Sequence, residues 1–149
     1  MDPDRALSAI GRLLSTQSLA VLATLDGEEP YTNLIAIAPS VDLKRLLFCT
    51  SQFTRKHENL QKNRHVALLI DNRRGNPRDF GEATAVTVLG VARAVEEGGR
   101  KESEREFLQI HPYLVDFVHS PTTVLYEVRI RRYVLVRRFQ NVSEVAMDE

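Results

Sequence analysis

The chain has 149 residues, with 20 Lys and Arg against 20 Asp and Glu, 43% hydrophobic residues, a single Cys and no Trp. That composition excludes a disordered tail and a disulfide-stapled miniature domain. It also argues against a domain that works chiefly by neutralising nucleic-acid phosphates, because such domains usually carry a strongly basic balance. It suffices for one domain over residues 1–149, whose core needs neither a disulfide nor a structural metal.

No stretch approaches the roughly 20 apolar residues that span a bilayer, and the start at Met1 to Asp4 lacks the basic and apolar runs of a signal peptide. With Cys49 unable to pair within the chain, a cytoplasmic location is expected, with neither membrane nor nucleic acid as partner.

From Pro3 to Thr16, Leu7, Ile10, Leu13 and Leu14 recur at spacings of three and four, and Pro3 suits a first helical turn. Two apolar runs, Leu19 to Leu25 and Tyr31 to Ala38, flank Asp26-Gly27 and predict a hairpin. Leu46 to Thr50 and Val66 to Ile70 predict two more strands, separated by a polar helix from about Thr54 to Lys62 with Thr54 as its N-cap. Asn72 to Glu82 reads as a loop. Ala83 to Val95 reads as a long strand interrupted at Gly90, where a bulge or barrel corner is expected. Lys101 to Ile110 predicts a charged helix ended by His111-Pro112, and Thr122 to Phe139 a last long strand. Six strand segments with no regular βαβ alternation fit an antiparallel barrel within a mainly β, α+β class.

The most informative stretch is Leu47-Phe48-Cys49-Thr50-Ser51-Gln52-Phe53-Thr54-Arg55-Lys56-His57, where a strand runs into hydroxyl residues and then starts a helix with two cations. Free N–H groups and the positive dipole end of a helix favour an anion. Thr50, Ser51 and Thr54 add hydroxyls, and Arg55 and Lys56 a fork and a point charge. A merely solvated face would place those cations at the opposite helix end, so a small anionic ligand is the better reading.

On these residues, followed by Leu60, Asn63 and the strand Val66 to Ile70, the chain resembles the pyridoxamine 5'-phosphate oxidase-like superfamily. These are the FMN-binding split barrels, and the resemblance runs from about Leu13 to Phe139. It implies a six-stranded antiparallel split barrel, with FMN as cofactor at a homodimer interface. Thr50, Ser51, Arg55 and Lys56 would hold the flavin phosphate. The strand from Tyr31 to Ala36, with Tyr31, Thr32, Asn33 and Leu34 foremost, would lie along the isoalloxazine ring and offer it backbone groups. Partner-chain residues near the Asn72 to Glu82 loop would complete the site.

The implied activity is transfer of electrons or hydride from a reduced nicotinamide or other donor to a small organic acceptor. Ala85 stands where the authentic oxidase has a flavin-contacting Gln. That enzyme's C-terminal Trp has no counterpart, and the tail from Ser143 to Glu149 is acidic, which points away from a vitamin B6 phosphate as substrate. The alternative is a carrier or binding protein without turnover, for flavin, deazaflavin or haem. His57, His65, His111 and His119 form no metal-ligand spacing, so no metal site is expected. No residue is singled out as catalytic, since the cofactor would carry the redox chemistry. Arg129, Arg131, Arg132, Arg137 and Arg138 read as a surface strand or dimer rim.

Overall fold

The structure is a computed structural model and describes residues 1–138 and 140–148. Helix α1 (Pro3–Thr16) starts on Asp2, whose carboxylate accepts the Arg5 N–H at 2.9 Å, and lays Ala6, Ala9, Ile10, Leu13 and Leu14 against the sheet. Strands β1 (Leu19–Asp26) and β2 (Glu29–Ala36) pair in full register from Leu19↔Ala36 to Asp26↔Glu29. Gly27, at φ 66°, supplies the positive φ that their tight turn needs.

Next come β3 (Ala38–Pro39), β4 (Arg45–Ser51), α2 (Arg55–Lys62), β5 (His65–Asp71), the short α3 (Asp79–Glu82) and β6 (Thr84–Ala94). Helices α4 (Arg100–Ile110) and α5 (Val115–His119) precede β7 (Thr123–Arg137) and β8 (Asn141–Ala146). Every pairing is antiparallel, in the order β2-β1-β5-β6-β7-β4-β3 with β8 on β7.

The fold is the expected antiparallel split barrel, with eight strand segments among the described residues rather than six. The two extra strands have physical reasons. Strand β3 is too short to show a period, and β8 buries only Val145 among polar neighbours. The last strand was expected to run on to Phe139, which lies outside the described residues; β7 ends at Arg137.

Gly90 makes the expected bulge, since the ladder to β7 shifts between Leu89 and Gly90. A Cβ there would stand 2.5 Å from the Arg129 carbonyl oxygen, so only glycine lets the strands approach.

Strand β4 is buried on both faces, which is why Leu46 to Thr50 reads as one unbroken run. Leu46 and Phe48 face the barrel core with Leu22, Ile70, Val86 and Val128. Leu47 and Cys49 face a second cluster with Phe107, Val118 and Leu125 beneath α4 and α5. Burial pushes the Cys49 thiol up to about 12. The buried His111 ring donates from Nε2 to the Ile37 carbonyl at 2.6 Å, and Ile37 N–H reaches Ser18 O at 3.1 Å. The chain is thus pinned where β2 ends and β3 begins.

Candidate functional site

Helix α2 begins where β4 ends, and its position is fixed from three sides. Asn59 Nδ2 donates to Thr24 Oγ1 of β1 at 3.0 Å in a buried contact. His57 Nδ1 lies 2.7 Å from Tyr126 Oη of β7, and the Tyr126 ring stacks on Phe48 with centroids 5.2 Å apart. At the helix start, Thr54 Oγ1 accepts the His57 N–H at 3.3 Å, donates to Ser51 O at 2.8 Å and meets Thr50 Oγ1 at 2.9 Å.

That hydroxyl network has a definite polarity. With its own hydrogen on Ser51 O, Thr54 receives the Thr50 hydrogen, so buried Thr50 has no donor left for a ligand. Thr50 acts on the site through Thr54. Ser51 differs: its Oγ accepts the Phe53 N–H at 3.2 Å, and its hydrogen stays available. The N–H groups of Arg55 and Lys56 belong to the first turn, whose donors the helix itself cannot satisfy.

The two cations are held differently. Arg55 Nη1 donates to Asp26 Oδ2 at 2.7 Å, and this carboxylate holds the guanidinium above its usual range. Lys56 is half-buried, and burial alone lowers its ammonium below the usual lysine range. Among the described residues no carboxylate forms an ion pair with it. A half-buried cation without a carboxylate, beside open N–H donors, is a position that gains from an anion.

The hairpin supplies the other half of the site. Asn33 and Tyr31 pair with Leu22 and Thr24, and so share the inner face of β1 and β2. The Asn33 Oδ1 atom is buried without a hydrogen-bond partner. Thr32 and Leu34 point to the outer face, Leu34 with 67% of its surface exposed. Among the described residues strand β2 ends the sheet order and pairs only with β1, so its second edge carries N–H and C=O groups that no strand there pairs.

The hairpin register sets Tyr31 opposite Thr24, two residues before the Asp26 that holds Arg55. It places Thr32 and Leu34 where only their backbone can serve the inner site. Asp26 escaped the sequence reading except as a turn residue. Its contact with Arg55, 29 positions on, has no local signature.

The Asn72 to Glu82 segment, expected as a loop throughout, closes in the single-turn helix α3; it lies at the other end of β1 and β5, since Val21↔Leu69 pairing puts Asp71 level with Leu19. Its Asp79 carboxylate accepts the N–H groups of Arg74, Gly75 and Asn76 at 2.9, 2.8 and 3.2 Å, which hold it below the usual carboxylate range. Among the described residues no group of three or more His, Cys, Asp or Glu side chains is placed to hold a metal ion. No helix there is long and apolar enough to cross a membrane.

A flavin phosphate fits this donor set of hydroxyl, amide N–H, guanidinium and ammonium. The orphaned Asn33 oxygen and the free β2 edge fit the alternating donors and acceptors on a flavin ring edge.

Comparison with known proteins agrees with this architecture. The family model for pyridoxamine 5'-phosphate oxidase matches residues 7–137. The chain belongs to that family. Among solved structures it is similar to a heme binding protein from Mycobacterium smegmatis, with TM-score 0.79 and 16% identity, covering 91% of this chain and 56% of that one. The chain thus spans little more than half of that protein. It is also similar to a FAD-binding protein from Mesorhizobium loti, with TM-score 0.70 and 17% identity over 87% of this chain and 92% of that one. A putative pyridoxamine 5'-phosphate oxidase from Listeria innocua gives TM-score 0.67 and 19% identity over 90% and 97%. At such identities the likeness is one of fold. No curated protein matches the sequence.

Proposed function

We propose that this protein is an FMN-binding oxidoreductase that works as a homodimer, with residues 1–149 as one domain in a reducing compartment. The observation that carries the reading is Lys56, a half-buried cation next to Arg55 at the open start of α2. Ser51, the first-turn N–H groups, Arg55 and Lys56 hold the phosphate, while Thr50 fixes Thr54 beneath them. The β2 edge from Tyr31 to Leu34 and the Asn33 oxygen bind and orient the ring. When bound, flavin supplies one-electron or hydride chemistry, here between a reduced nicotinamide or similar donor and a small organic acceptor.

The dimer is supported by the outer sheet face. Leu34, Val21 and Leu69 form a cross-strand row that continues through Thr87 to Val134. Leu19, Leu34 and Leu69 stand exposed on this face, the kind of apolar patch that a partner covers. A second copy seated there would enclose the outer side of β2 and complete a site that one chain leaves open.

The test is the visible spectrum of the purified protein before and after adding FMN, with mass spectrometry of what denaturation releases. Bound flavin, and a bleached flavin spectrum on adding reduced nicotinamide with acceptor turnover, support the reading. A colourless protein that ignores FMN overturns it. Released haem favours the second reading, a haem-binding protein, to which the Mycobacterium smegmatis neighbour lends support. Bound flavin without turnover favours an electron carrier.

A further inference from the structure

Arg55 and Lys56 are adjacent, yet only Arg55 is tied to another element. Its partner Asp26 is the last residue of β1, in a hairpin paired along its whole length. Two residues earlier, on the same strand face, Thr24 receives the buried Asn59 bond from α2. Both ends of the Asp26 to Arg55 contact are therefore anchored to backbone whose separation is fixed. The side chains themselves stay 40% and 54% exposed. A long cationic side chain at such a surface would otherwise sample many rotamers.

We infer that Asp26 is a positioning residue for the cofactor phosphate. It holds the Arg55 guanidinium at the α2 N-terminus through one of the five N–H donors and leaves the rest of the fork to the anion. This rests on the phosphate-binding reading above. Asp26 is also a negative charge near an anion site. At this exposure water and salt screen its repulsion, and its ion pair with Arg55 offsets its charge, so fixing the fork outweighs it.

The test compares FMN with riboflavin, which carries the same ring without the phosphate, by fluorescence titration of the full chain. Asp26→Ala and Asp26→Asn should each weaken FMN roughly three- to tenfold, the cost of ordering one long side chain. Riboflavin binding should stay unchanged, which also shows that the variants fold. In an Arg55→Ala background the same substitutions should cost nothing more.

Equal losses for both ligands, tighter FMN binding, or an undiminished loss without Arg55 would each overturn the inference. Failure of the unaltered protein to bind FMN overturns the parent reading instead, before any variant is compared.

Discussion

Two short segments of this chain combine cationic side chains with backbone donors, and they differ in what those donors are doing. At the start of α2, Thr54 takes the His57 N–H of the first turn, while the Arg55 and Lys56 amides and the Ser51 hydrogen stay open. In the Asn72 to Glu82 loop, three consecutive amides already converge on Asp79, and Arg73 Nε sits 3.0 Å from Asp71. The loop has made its own anion site and filled it. Cationic side chains mark both segments; the availability of donors separates them.

The largest expected effect breaks the comparison if it fails. Arg55→Ala with Lys56→Ala should weaken FMN on the order of a hundredfold or more, since each charge-assisted contact is worth about 1.5 to 3 kcal/mol. An unchanged affinity in a titration would put the phosphate elsewhere. Next in size is a pH effect. Only the ammonium form of Lys56 attracts phosphate, and burial lowers its pKa, so FMN affinity should decline as pH rises through a value below the usual lysine range. Lys56→Arg should abolish that decline, because the guanidinium keeps its charge.

Thr54→Ala removes the N-cap and should cost about 1 kcal/mol of stability, read as a shifted midpoint in denaturant. The same variant frees the Thr50 hydroxyl. Replacing Arg73, Arg74 and Arg78 together by Ala should weaken FMN less than the Arg55 and Lys56 replacement does, because exposed charge contacts are worth only about 0 to 1 kcal/mol each. The smallest effect is local. Asp79→Ala should speed hydrogen exchange at Arg74, Gly75 and Asn76 and leave flavin titrations untouched, which would show that the loop's donors serve the loop alone.

Much of this was legible in the chain itself. Helix α1 follows from the spacing of Ile10, Leu13 and Leu14, the hairpin from Asp26-Gly27, and the bulge from Gly90. The cationic start of α2 stands out because Arg55 and Lys56 oppose the helix dipole. These features are local: period, turn chemistry and capping act within a few residues, so the order of residue types is enough to specify them. The family resemblance draws on the same local order and spacing.

What the tertiary structure decided is of another kind. The pairing of Asp26 with Arg55, the diversion of the Thr50 hydroxyl into Thr54 and the orphaned Asn33 oxygen all depend on strands meeting across long separations. So does the sorting of β2, which turns Tyr31 and Asn33 inward and Thr32 and Leu34 outward. Strand β8 returns to the barrel by pairing with β7, a contact that its own polar sequence does not announce. A sequence records which donors and acceptors exist; which of them remain unspent is settled only when the fold brings their competitors within reach.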